Sequence, residues 1–76
     1  MEPRLAMTVT ATGDDGREYS VHGYKRMLPR GREWVEEALI SIMRTDHGDE
    51  VDCESENPLV FWLPSTGVRL RCPQPN

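Results

Sequence analysis

Residues 46–56 read DHGDEVDCESE, which holds six carboxylates (Asp46, Asp49, Glu50, Asp52, Glu54 and Glu56), His47, Cys53 and no lysine or arginine. Such a run could hold a metal ion, compete for a basic groove as a phosphate ladder does, or solvate a sheet edge. Zinc asks for about four Cys, His or carboxylate ligands in a tetrahedron. The whole soft inventory is His22, His47, Cys53 and Cys72, with no CxxC or HxxxH pair. Calcium asks for six to eight oxygens around one point, and the spacing of Asp46, Asp49, Glu50 and Asp52 does not fit an EF-hand loop. The alternation of Val51 and Cys53 with Glu50, Asp52 and Glu54 reads instead as a short strand. A strand sends successive side chains to opposite faces. Glu50, Asp52, Glu54 and Glu56 would therefore form an outer ladder at about 6.8 Å spacing, with Asp49 at its start. Neither metal reading survives, and no cofactor is expected.

Nucleophilic catalysis needs a nucleophile, a base and an orienting group within hydrogen-bond reach. Cys53 with His22 or His47 is the only such arithmetic, no motif supports it, and Cys53 is expected to be buried beside Val51 and inert. GYKRMLPRG lacks the glycine-rich phosphate loop and its Lys-Ser/Thr end. A chain of 76 residues makes one domain and leaves little room for a pocket of about 300 Å³ or more. An enzyme is not expected. The two cysteines read as reduced, partly buried thiols, or as one disulfide if their strands are neighbours.

Positive charge gathers elsewhere. YKRMLPRGR places Lys25, Arg26, Arg30 and Arg32 beside Tyr24, and Arg69 and Arg71 alternate along VRLRC. These six cations could contact phosphate, which gives an alternative function as a small nucleic-acid-binding regulator. The plainer reading is a bipolar surface, since the net charge is −4. The longest apolar run is LVFWL at 59–63, far short of the roughly 20 residues of a membrane span, and MEPRLAMTVT has no signal-peptide core. A cytosolic protein is expected.

The elements that would position these groups are read from periodicity. Leu5, Met7, Val9 and Ala11 alternate with Ala6, Thr8, Thr10 and Thr12; GDDG follows; then Tyr19 and Val21 alternate with Glu18, Ser20 and His22. This predicts a β-hairpin. KRMLPRGR reads as a connector. In REWVEEALISIMRT, Trp34, Val35, Ala38, Leu39, Ile42 and Met43 form a stripe at helical period, with Glu33, Glu36 and Glu37 early and Arg44 late. This predicts an amphipathic helix ending before Gly48. The acidic strand, broken at Asn57-Pro58, is followed by LVFWL, a strand covered on both faces, the turn PSTG and the strand VRLRC. The expectation is one α+β domain over 1–76, ordered β-β-α-β-β-β, with a single amphipathic helix packed on a small, mainly antiparallel sheet.

MTVTAT at 7–12, YSV at 19–21 and LVFWLPSTGVRL at 59–70 resemble the small type I anti-CRISPR proteins encoded by phages. YKRMLPRGR falls outside that pattern. The resemblance implies a non-enzymatic inhibitor in the host bacterial cytosol. It would bind a Cas subunit or another nucleic-acid-handling complex stoichiometrically, and it carries no catalytic residues. On this reading the acidic ladder faces a basic protein groove, and an exposed Trp62 beside it would mark an interface anchor.

Overall fold

The computed structural model describes residues 2–72 and contains eight strands: β1 Arg4–Gly13, β2 Glu18–Lys25, β3 Met27–Arg30, β4 Glu33–Glu36, β5 Ile42–Thr45, β6 Asp52–Glu56, β7 Leu59–Trp62 and β8 Arg69–Arg71. There is no helix among the described residues, so the expected α+β fold with one amphipathic helix is corrected to an all-β one. No helix long and apolar enough to cross a membrane is present among them.

Six strands form one antiparallel sheet in the order β5-β2-β1-β8-β7-β6. The sheet curls until β5 meets the residues that lead into β6. Arg44 and Glu50 form an isolated antiparallel bridge, and the Val51 amide donates to the Met43 carbonyl at 3.0 Å. Around this ring each strand neighbours the next in the chain, once β3 and β4 are set aside, and β8 returns to β1. The result is a small up-and-down barrel, which removes most of its exposed edges by closing on itself. Its interior holds Ala11, Val21, Val51, Phe61, Leu63 and Leu70, lined further by Met7, Val9, Tyr19, Met43, Leu59, Val68 and Cys72.

Much of the expected alternation appears here. Ala11 and Val21 are buried, and Phe61, Leu63 and Leu70 point inward. LVFWL, however, is covered on one face only, because a closed barrel has one interior and Trp62 lies outside it. Gly23 is closely packed: a Cβ there would stand 2.9 Å from Met7 Cγ and 3.1 Å from Ile40 Cγ2, so those side chains would have to shift. Ile40 is thereby identified as a packing residue over β2.

The segment read as a helix takes a different course. Gly31, at φ +64°, and Arg32 make a two-residue turn between the paired residues Arg30 and Glu33. Glycine at the first central position, with no positive φ at Arg32, is the pattern of a type II′ hairpin turn. β3 and β4 pair across it and with nothing else, forming an arm outside the barrel. Beyond it, Ile42 and Met43 pair with Tyr24 and Gly23 of β2. Helical periodicity placed two apolar pairs, Trp34–Val35 and Ile42–Met43, eight residues apart, and two short strands use the same spacing. A helix of this length is marginal in water without tertiary support, whereas the strands satisfy the open edge of β2 and complete the ring. The radius of gyration is 13.9 Å, against about 11 Å for a compact chain of this length, in keeping with an arm outside the barrel.

The turn that brings β5 to β6 is held by Thr45, the only buried polar residue among those described, at 3% exposure. Its hydroxyl oxygen accepts from the amides of His47 and Asp49, both at 3.2 Å, and its proton goes to Asp49 Oδ2 at 3.3 Å. Replacing Thr45→Val should strand these donors and cost about 1–3 kcal/mol. Urea unfolding of the variant should show a lower midpoint; an unchanged midpoint would contradict this role for Thr45.

Candidate functional site

The acidic residues expected on one strand face are divided by the structure. A β-bulge interrupts the β6–β7 register between Cys53 and Ser55, so that Asp52 lies opposite Trp62 but Glu56 lies opposite Leu59. Trp62 is on the outer face and Leu59 packs against the core. The extra residue of the bulge therefore moves Glu56 to the opposite face from Asp52. Glu54 is paired with Arg69 at 3.0 Å. Asp49 is drawn into the Thr45 turn, and Glu50 is exposed at the bridge to Arg44. An outer acidic edge remains at Glu50 and Asp52, with Trp62 37% exposed beside it.

The six cations are divided as well. Lys25, opposite Arg4, and Arg26 sit where the arm leaves β2; Arg30 and Arg32 are at the arm tip; Arg69 and Arg71 lie on β8. Arg26 is bound to Glu37 and Arg69 to Glu54, so two of the six already have carboxylate partners. No single basic patch forms.

The soft ligands are equally scattered. His22 stands on β2 with Nδ1 3.0 Å from Thr8 Oγ1. His47 is exposed in the β5–β6 turn, 3.8 Å from Asp46. Both cysteines are free, and β7 separates the strand of Cys53 from β8, which runs up to Cys72. Cys53 is exposed rather than buried as expected: it shares a face with Phe61, but β6 lies at the barrel seam where little covers it. Cys72 is half-buried, and that burial pushes its thiol pKa up. Among the described residues no group of three or more His, Cys, Asp or Glu could hold a metal ion.

The feature that periodicity missed is the arm. Leu28 is 42% exposed, Trp34 46% and Leu39 79%, and all three lie in the excursion between β2 and β5. Of the stripe expected on a helix, Met43 packs on the barrel core, but Trp34 and Leu39 face outward in this excursion. The PRGRE turn was its one sequence signal, hidden by the helical spacing around it.

The arm is fastened at its base by one carboxylate. Glu37 Oε1 accepts from Arg26 Nη2 at 2.9 Å and Nε at 3.1 Å. Glu37 Oε2 accepts from the Arg26 amide at 2.8 Å and from the Ser41 hydroxyl at 2.6 Å. The Glu37 amide completes the clamp by donating to the Arg26 carbonyl at 3.0 Å. Hydrogen bonds from the Arg26 side chain, then from Ser41 and from the Arg26 amide, hold the Glu37 carboxyl down at about 2. A carboxyl with a depressed pKa in the folded state stabilises that state above its unfolded pKa, and the contribution fades as pH falls through the folded value. The clamp should therefore hold at neutral pH and weaken progressively from about pH 4.5 toward pH 2. Amide exchange at Leu28 and Val35 should speed up over that window, relative to the barrel amides. Glu37→Gln should show the faster exchange at neutral pH and lose the acid dependence. Equal exchange in both proteins across the window would contradict the clamp.

No protein-family model, curated protein or solved structure matches the chain, so the geometry of the arm and the barrel edge is what bears on its function.

Proposed function

We propose that this protein acts by binding another protein, with the hairpin arm as its docking element and the barrel as its platform. One observation carries the reading: Leu28, Trp34 and Leu39 are three of the five large apolar side chains that stand exposed, and all belong to the excursion outside the barrel. Burying such side chains against a partner is favourable, and tryptophan is a frequent anchor of binding energy. The barrel needs none of them for its core. The clamp at Glu37 holds the arm in one conformation in advance, which reduces the ordering cost of association.

The specific form that the resemblance to anti-CRISPR proteins supports is a non-enzymatic inhibitor that occupies a Cas or other nucleic-acid-handling complex in the bacterial cytosol. The acidic edge at Glu50 and Asp52, beside Trp62, suits the basic surfaces of such complexes. Its carboxylates would steer the encounter, while the arm would hold the complex together. Direct nucleic-acid binding has weaker support, because the cations are spread over the neck, the tip and the barrel.

A photo-cross-linking residue at position 34, compared with one at Thr10 on the outer face of β1, tests the docking element. Position 34 should capture a discrete protein from a bacterial lysate, identifiable by mass spectrometry, and Thr10 should not. Equal capture at both positions, or adducts only with nucleic acid, would refute the proposal. With the partner in hand, Trp34→Ala should weaken affinity by about 2 kcal/mol or more, roughly 30-fold, mainly through faster dissociation. Glu50→Gln with Asp52→Asn should instead slow association and reduce its dependence on salt. The reverse assignment of the two rate constants would overturn the division of roles.

A further inference from the structure

The arm has two edges, and they are not equivalent. In an antiparallel ladder, pairs that exchange hydrogen bonds alternate with pairs whose amides and carbonyls point away from the partner strand. The bond from the Glu37 amide to the Arg26 carbonyl fixes which is which. Counting outward from it, Leu28–Val35 and Arg30–Glu33 exchange bonds, whereas Met27–Glu36 and Pro29–Trp34 direct their backbone groups outward. Pro29 therefore removes an amide from the outer edge of β3, a common way of closing an edge to pairing. On β4 the amides and carbonyls of Trp34 and Glu36 face outward and find no backbone partner among the described residues.

We infer that β4 is the receiving edge for an extended strand of the partner protein, one that carries basic residues flanking an apolar pair. This inference rests on the reading of the arm as a docking element. β-strand addition draws affinity from backbone hydrogen bonds and specificity from the side chains beside each position. The edge reads Glu33-Trp34-Val35-Glu36, an acid at each end of an apolar pair. Directly opposed charges of opposite sign stabilise a ladder and like charges oppose it. The complementary strand is therefore basic-apolar-apolar-basic, the same in either direction.

The test is a titration of the isotope-labelled protein with two capped hexapeptides, Thr-Lys-Val-Val-Lys-Thr and Thr-Glu-Val-Val-Glu-Thr, into the millimolar range. The basic peptide should shift the amide resonances of Trp34 and Glu36 and slow their exchange, with the acidic peptide at least tenfold weaker. Glu36→Pro removes an outward amide without touching the internal ladder, so the Leu28–Val35 cross-strand contacts should persist while peptide binding is lost. Glu33→Lys with Glu36→Lys should reverse the preference toward the acidic peptide. Equal response to both peptides, no response to either, or unchanged binding by Glu36→Pro would overturn the inference. So would a response at Trp34 to a single-stranded oligonucleotide in place of the peptide. If the peptides fail but position 34 still cross-links a partner protein, strand addition is wrong and the docking role of the arm stands. If both fail, the docking role falls as well.

Discussion

The Glu37 carboxylate is the constraint on which the arm depends. Its two oxygens collect the Arg26 guanidinium, the Arg26 amide and the Ser41 hydroxyl, and its own amide returns a bond to the Arg26 carbonyl. The donors come from both sides of the excursion. Arg26 lies between β2 and β3, and Ser41 immediately precedes β5. The clamp thus closes the neck of the arm at the point where the chain leaves and rejoins the barrel. A charged, doubly bonded guanidinium–carboxylate pair fixes geometry as well as adding energy. Without it the arm would hang on the pairing of two four-residue strands, and an isolated two-stranded hairpin is at best marginally stable in water.

Stability and the proposed recognition consequently fall to different parts of a short chain. The barrel gathers its apolar side chains into one interior, and its ring is joined by the Arg44–Glu50 bridge and the Thr45 turn. The arm contributes no buried residue to that core. Changes to Leu28, Trp34 or Leu39 should therefore have little effect on how well the barrel folds. The same separation explains the dispersion of charge. Arg26 and Arg69 serve the architecture through Glu37 and Glu54, which leaves Arg30 and Arg32 at the tip and Glu50 and Asp52 at the barrel edge for contacts with other molecules.

Four of the barrel strands, β1, β2, β7 and β8, were legible in the sequence because each shows one buried face, whereas β5 lay inside the segment read as a helix. Ala11 and Val21, and Phe61 and Leu70, alternate with outward residues as a half-buried strand requires. The turn at Gly13–Arg17 was legible for the same local reason, since Asp15 accepts from the Arg17 amide and the Tyr19 hydroxyl. The helix was misread because periodicity reports where apolar residues recur but not whether they are buried. Trp34 and Leu39 recur at helical spacing and are exposed on the arm and the loop that follows it. The acidic ladder was half legible. Alternation placed Asp52 outside, but the bulge before Ser55 has no local signature in DCESE, and it moves Glu56 to the other face. Pairing across long separations, such as β1 with β8 or β2 with β5, decides the architecture and leaves no mark on any short window.

Residue-by-residue amide exchange of the free protein at neutral pH tests the account most directly. The hairpin with one open edge predicts an alternating pattern across the arm. Leu28, Val35 and Glu37 should exchange slowly, and Trp34 and Glu36 fast, accompanied by cross-strand contacts between Leu28 and Val35. Continuous protection from Val35 to Met43, with contacts between residues three and four apart, would reinstate a helix there and contradict both the arm and the function assigned to it.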